Sequence, residues 1–335
     1  MRAVVLSDAP PALETAEVAD PTPLGDEVVL RVDGCGVCGS DLHVAGVIGA
    51  PGLVMGHEIA GEVVDHGPDA DAGRWPIGSR VVARPLVGCG ECAGCRADRP
   101  DRCLQSQLVG LQRPGGFAEY VSVSGRELFA IPDTVDDAVR PLVEPLAIAR
   151  HAMRLTPPEQ GEPVLVLGAG PIGLAITLWA RHLGAGEIVV SDPSEPRRRL
   201  AAELGASAAV DPTTEPLGAA FADRRQPPVA FECAGRPGLL NEAMSVADWE
   251  GRVNVVGICL SEDTFLPWTG ISKELQIRFS IYYESRDFTD TIEALASGAI
   301  DPSAMITETV GLDALPERFA RLSRDADGGK VVVRP

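Results

Sequence analysis

Val164-Leu165-Val166-Leu167 runs straight into Gly168-Ala169-Gly170-Pro171-Ile172-Gly173 and then into an apolar stretch ending near Gly184. A short, unbroken apolar run reads as a strand buried on both faces, and the following stretch reads as a helix. A strand, a glycine-rich turn and a helix in that order open the first unit of a parallel α/β sheet. Gly168 permits the tight turn, Gly170 lets the backbone approach a pyrophosphate, and Gly173 allows the helix to pack closely on the strand. The helix N-terminus then offers free N–H groups and the positive end of a dipole to phosphate.

The surrounding pattern supports a dinucleotide site. Asp192 closes the next strand, Ile188–Ser191, 19 residues after Gly173, where a carboxylate binds the adenosine ribose diol. It would repel a 2′-phosphate, which favours NAD over NADP. Arg197, Arg198 and Arg199 weigh the other way if they pair with phosphate or stack on adenine; their alternative is a solvated helix face. Strands at Val229–Glu232, Val253–Gly257 and Gln276–Ile281, with a helix at Glu195–Leu204, complete a doubly wound parallel sheet. The first 150 residues differ. Val28–Val32, Ile59–Val64, Arg80–Ala83 and Phe117–Val123 are short β-type runs broken by Gly, Pro and Asp, as in a barrel-like all-β domain with long loops. We therefore expect a catalytic domain over 1–151, a dinucleotide-binding domain over 152–285, and a segment over 286–335 whose last strand, Lys330–Arg334, returns to the first domain.

Two sets of metal ligands precede the glycine turn. Cys89-x2-Cys92-x2-Cys95-x7-Cys103 lies in a loop that Gly88, Gly90, Gly94 and Pro100 keep irregular. Four thiolates at these spacings suit a closed, structural zinc, and the metal would supply the loop's internal order. Cys38, Asp41, His43, His57 and Glu58 form a second cluster, with one thiolate, imidazoles and carboxylates suited to an open, catalytic zinc. Asp41 is placed to accept the second imidazole N–H of His57. Glu58 is a direct ligand or a group behind one, and Glu144 completes the set or is simply a charge at a helix N-terminus. Cys35-x2-Cys38 is also a plausible ligand pair. Cys233 and Cys259 match no ligand motif and read as buried small hydrophobes.

Composition narrows the partners. A net charge of −19 with 48 acidic residues argues against nucleic acid and anionic membrane surfaces. Only Lys273 and Lys330 are lysines among the 29 basic residues, a bias toward arginine with no function attached to it. No apolar run is long enough to span a membrane. The start, Met1 to Asp8, meets an acid too early for a secretory leader, so a cytoplasmic location is expected, where clustered thiols bind metal rather than forming disulfides.

Cys38-Gly-Ser-Asp-Leu-His43, Gly56-His-Glu58-x2-Gly61-x5-Gly67, the four-cysteine lobe, Glu144-Pro-Leu-Ala147 and the glycine turn occur in the order seen in the zinc-dependent medium-chain alcohol dehydrogenases, and the chain resembles that family over nearly its whole length. The resemblance implies a GroES-like β-barrel catalytic domain joined to a Rossmann domain. It implies two zincs per chain: a catalytic one on Cys38 and His57, with Glu58 and Glu144 as ligands or exchange partners, and a structural one on Cys89, Cys92, Cys95 and Cys103. Ser40 resembles the hydroxyl that takes the substrate proton, and His43 the residue that delivers it to solvent. Ile172, Asp192, Arg197, Val256, Gly257, Ile258 and Tyr282 fall at cofactor-contact positions, with NAD the implied dinucleotide.

Glutamate at 144 is similar to the sorbitol and butanediol dehydrogenase branch, but Tyr282 stands where sorbitol dehydrogenases commonly have arginine. Arg150 is also unusual, and either lines the cleft or forms a structural ion pair. The expected activity is hydride transfer between a secondary alcohol or polyol and NAD, with a homodimer or homotetramer as the assembly. Activity on threonine, a formaldehyde adduct or an aminocyclitol is the neighbouring alternative. A non-catalytic, zinc-stabilised binding module is the distant one.

Overall fold

The computed structural model describes residues 1–8, 13–44, 50–221, 226–322 and 328–335, with His43, Val44 and Ala219 placed by backbone alone. Its centre is a six-stranded parallel sheet. The spatial order is Ala208–Val210, Ile188–Ser191, Val164–Leu167, Val229–Glu232, Arg252–Val255 and Gln276–Phe279. Numbered along the chain, that order is 3-2-1-4-5-6, so the direction of winding reverses between Val164–Leu167 and Val229–Glu232. A crevice opens beyond the strand ends at such a point, and dinucleotides bind there. Val164, Leu165, Val166 and Leu167 are all buried, as their position at the sheet centre requires.

The second sheet has seven strands. Glu27–Gly36 is its longest member and pairs antiparallel with Glu58–His66, with Tyr120–Ser124 and with the C-terminal Lys330–Val333. The pairs Val332–Gly36 and Val333–Cys35 insert the end of the chain beside the residues that lead into Cys38. Lys330–Val333 is thus a strand of the N-terminal sheet, three hundred residues away in sequence but adjacent in space. The register with Glu58–His66 shifts between Val32 and Gly34, so the pairing is irregular just before the strand leads into Cys38.

Aromatic packing joins the two halves. Phe129 stacks on Phe288 at 4.9 Å between ring centroids, and Phe288 meets Tyr283 edge-on at 4.9 Å. Such pairs contribute about 0.5–1.5 kcal/mol each beyond the area they bury. The helix Val143–Leu155 continues this core. It packs against Pro171–His182, where Trp179 Nε1 donates to the Leu146 carbonyl at 3.0 Å, and against Ser285–Ala296. Arg150 lies on the outer side of that helix, paired with Asp290 at 2.7 Å and set over the Trp179 ring, so it forms a structural ion pair. Among the described residues no helix is long and apolar enough to cross a membrane.

Candidate active site

Two elements deliver the first cluster of ligands. Cys38 lies just before the short helix Gly39–Val44, and His57 and Glu58 sit at the start of Glu58–His66. One ligand atom from each of Cys38, His57 and Glu58 lies within 4.8 Å of the others. Asp41 Oδ1 is 3.2 Å from His57 Nδ1, and Asp41 Oδ2 accepts the Cys38 backbone N–H at 2.9 Å. Asp41 therefore orients the imidazole and closes the turn that presents the thiol, leaving His57 Nε2 for a metal. Ser40 is half-buried on the same helix, while the side chains of His43 and Val44 and residues 45–49, expected with Ala50 to wall the substrate, lie outside the described residues.

The electrostatics of this pocket call for a cation. Glu58 is fully buried; its Oε1 pairs with the buried Lys330 Nζ, and its Oε2 has no hydrogen-bond partner. Burial opposes the charged form of His57, but Asp41 and Cys38 outweigh it and hold the imidazole pKa well above its ordinary value. Glu144 is buried at the start of Val143–Leu155. Burial, with Glu58 adding to it against the pull of His57, raises its pKa to about 7. It stands outside the three-residue grouping, so any role as a direct ligand requires its side chain to move. A zinc ion fits this donor set: a thiolate, an imidazole with its other nitrogen occupied, and an unsatisfied buried carboxylate oxygen.

Cys35 is not part of it. Its thiol is buried, burial pushes its pKa well above the usual value, and it donates to the Gly36 carbonyl at 3.8 Å. Spacing left Cys35 and Cys38 equivalent; burial separates them. Cys233 and Cys259 were expected to be buried, and both are partly exposed. Cys233 still packs on the core, whereas Cys259 lies in a loop and its thiol donates to the Ser261 carbonyl at 3.5 Å.

The four-cysteine lobe is a second centre. The sulfurs of Cys89, Cys92, Cys95 and Cys103 lie within 4.8 Å of one another, and none is in a disulfide. Backbone N–H groups of Glu91 and Cys92 point at Cys89 Sγ, that of Cys95 at Cys92 Sγ, and those of Cys89 and Gln105 at Cys103 Sγ, all at 3.4–3.5 Å. At Cys89 these bonds bring the pKa down to about 6 and they lower that of Cys92, while burial pushes Cys95 up to about 12. The lobe reaches across to the other half of the molecule through Asp98. Its carboxylate accepts from Arg84 Nη1 at 2.8 Å, from Ser285 Oγ at 2.7 Å and from the Ser285 backbone N–H at 2.6 Å. Composition and spacing give no hint of this bridge, because it joins residues 187 positions apart.

Three residues before Ser285, Tyr282 has a left-handed backbone at φ +57°, a conformation that costs a non-glycine residue about 1–2 kcal/mol. Its half-buried phenol is pushed up in pKa by burial and feels the charges of His57 and Glu144, which puts it beside the metal pocket. The buried Tyr283 hydroxyl faces the Glu144 carboxylate, and burial together with that carboxylate pushes its pKa well above the usual value.

The dinucleotide crevice is formed as the glycines require. Gly168 has φ +95° and lies against Ala234; a side chain at Gly173 would strike the Gly168 carbonyl, and Gly170 faces open space. Asp192 accepts the Ala169 N–H at 2.8 Å and the Ser194 N–H at 2.8 Å, with Arg197 Nη1 at 3.8 Å. Arg198 is tied to the Asp192 and Pro193 carbonyls, and Arg199 lies on the exposed face. Ile172 starts the helix Pro171–His182; Val256, Gly257 and Ile258 follow the strand Arg252–Val255 on the far side of the crevice, with Gly257 against Gly235.

Family comparisons agree with this architecture. Residues 25–133 match the alcohol dehydrogenase GroES-like domain, and residues 171–297 match the zinc-binding dehydrogenase domain. A scyllo-inosose 3-dehydrogenase from Thermotoga maritima is 33% identical over 358 residues, covering 96% of this chain and 90% of that protein. This chain belongs to the zinc-dependent medium-chain alcohol dehydrogenases. It is accordingly an oxidoreductase of alcohols and polyols. Among solved structures, the RspB alcohol dehydrogenase of Escherichia coli, determined with NADH, is 30% identical with a TM-score of 0.92, covering 100% of this chain and 99% of that one. A zinc-binding dehydrogenase of Sinorhizobium meliloti, determined with NADP, is 31% identical with a TM-score of 0.91 and the same coverage.

Lys330 and Asp98 are the residues whose roles sequence reasoning missed. Lys330 left one signal: a lysine opening an apolar strand in a chain that otherwise uses arginine. The raised pKa of Glu144 has a measurable consequence. In metal-free protein the stability linked to protonated Glu144 is fully present below its unfolded value of 4.5 and is lost as pH rises through about 7. His57, also raised, acts in the same direction. The melting temperature of metal-free protein should therefore fall between pH 5 and 8, measured by calorimetry across buffers. Zinc should flatten that slope, and an unchanged slope would contradict the charge assignment.

Proposed function

We propose that the protein oxidises a secondary alcohol of a small polyol to the ketone with NAD, through zinc held by Cys38 and His57 with Glu58 and Glu144 as carboxylate ligands or exchange partners, and that Cys89, Cys92, Cys95 and Cys103 hold a structural zinc. The observation that carries this reading is the Glu58 carboxylate, buried with Oε2 left without a partner and grouped within 4.8 Å of the Cys38 sulfur and the oriented His57 imidazole. When bound, zinc supplies Lewis acidity at the alcohol oxygen and the nicotinamide accepts the hydride.

The chain's own residues do the rest. Asp41 fixes the imidazole of His57, Ser40 takes the hydroxyl proton, and His43 passes it to solvent. Asp192 holds the adenosine ribose and disfavours a 2′-phosphate, which supports NAD; Arg197 beside it is the feature through which NADP would be accepted. Tyr282 gives the cleft an apolar ring and one hydroxyl where an arginine would bind a long polyhydroxyl chain. That favours a cyclic or short-chain polyol over a hexitol. Steady-state rates on inositol, 2,3-butanediol, sorbitol and L-threonine with each dinucleotide test the reading. The expected order places inositol or butanediol with NAD first, and Cys38→Ala should lower kcat by about a thousandfold, the loss of several kcal/mol of transition-state stabilisation, while NADH still binds. Preferred turnover of threonine or NADP, or full activity in Cys38→Ala, would refute it.

We also propose that the protein assembles with a second copy through the open edge of the parallel sheet. Gln276–Phe279 is the last strand, with unpaired backbone groups along one side. Around it Leu260, Leu266, Trp268, Ile271, Phe279 and Ile281 are each more than half exposed. Six large apolar side chains and an open strand edge suit the roughly 800 Å² per partner that a stable dimer buries. Light scattering should give a dimer or a multiple of it, and Phe279→Asp with Ile281→Asp should shift the mass toward the monomer; a monomeric wild type would rule this surface out.

A further inference from the structure

Lys330 is buried with the Glu58 carboxylate, its side chain 1% exposed against 0% for Glu58. It donates to Glu58 Oε1 and to the Val37 carbonyl at 3.1 Å, one residue before Cys38. Two fully buried charges are retained only where they are paired and hydrogen-bonded, and this ammonium is the positive side chain paired with a pocket that collects Cys38, Asp41, Glu58 and Glu144. The backbone that carries it is fixed. A side chain on Gly329 would meet the Met305 carbonyl at 2.2 Å, and Arg197 Nε reaches the Gly328 carbonyl at 3.4 Å.

The residue type matters as much as the position. An arginine's planar fork binds both oxygens of a carboxylate, whereas an ammonium is a point charge that can hold one. Here one oxygen, Oε1, is held and Oε2 is buried without a hydrogen-bond partner, while the carboxylate offers an oxygen within 4.8 Å of the Cys38 and His57 ligand atoms. This happens in a chain with only two lysines among 29 basic residues. We propose that Lys330 is a positioning residue that tethers Glu58 by one oxygen, so that Glu58 lends charge to the metal without closing the coordination position the substrate needs. The inference rests on the metal site assigned above.

Release of zinc to a chromogenic chelator, followed on the holoenzyme, separates the possibilities. The release phase missing from Cys38→Ser belongs to the mixed-ligand site; if no phase is missing, the site assignment itself fails. In Lys330→Met the freed carboxylate should settle fully on the metal. That phase should then slow on the order of tenfold, and kcat should fall by a similar factor with little change in the Km for alcohol. A residue that merely supports the ligands predicts the opposite sign, release faster by about 10–100-fold, and that result or an unchanged rate would overturn the proposal. If Lys330→Met does not accumulate as folded protein, Lys330→Arg decides. A fork that takes both oxygens should draw Glu58 away and speed release, and an unaltered phase would overturn the proposal.

Discussion

Four groups that carry negative charge when ionised, Cys38, Asp41, Glu58 and Glu144, converge on one pocket in which the buried side chains carry a single fixed positive charge. Placing ionised groups in a low-dielectric interior is costly, and the cost is met only by pairing them. Asp41 is paired with His57, and half of Glu58 is paired with Lys330. The rest is left for a divalent ion. The pairing of Glu27–Gly36 with Glu58–His66 and with Lys330–Val333 brings the ligands together, and the same two pairings bring the balancing ammonium.

The four-cysteine lobe serves this pocket from a distance. Its Asp98 grips the N-terminus of the helix Ser285–Ala296, two residues after Tyr283. The aromatic cluster of Phe129, Phe288 and Tyr283 holds the same segment from the other side. Together they offset the strained backbone of Tyr282 and keep its phenol at the cleft. A structural metal in the lobe would thus act on the reaction by fixing a wall of the substrate site.

Much of this was legible in the sequence, and the reason is physical. Ligands and glycine turns act through local spacing, so Cys89 to Cys103, Cys38, His57 and the turn at Gly168 could be read directly. The strands Val164–Leu167, Ile188–Ser191 and Val229–Glu232 were equally plain because central parallel strands are apolar throughout. What stayed hidden depends on contacts between distant segments. Lys330 on Glu58 and Asp98 on Ser285 are separated by 272 and 187 residues, and no local pattern encodes them. The exclusion of Cys35 was hidden for a different reason: Cys35 lies within the strand Glu27–Gly36 and is fully buried, whereas Cys38 lies beyond its end and is only partly buried, and spacing does not encode that difference.

The central claim is that two chemically different metal centres are built from one chain, one all-sulfur and one mixed. X-ray absorption at the zinc edge on protein purified in the presence of zinc reads this most directly. The account predicts two zincs per chain, with sulfur at about 2.3 Å and nitrogen or oxygen at about 2.0–2.1 Å in the combined first shell. Loss of only the nitrogen and oxygen component in His57→Ala would assign it to the pocket. One zinc per chain with a purely sulfur shell would contradict the account, leaving the Cys38 pocket without the cation its charges require.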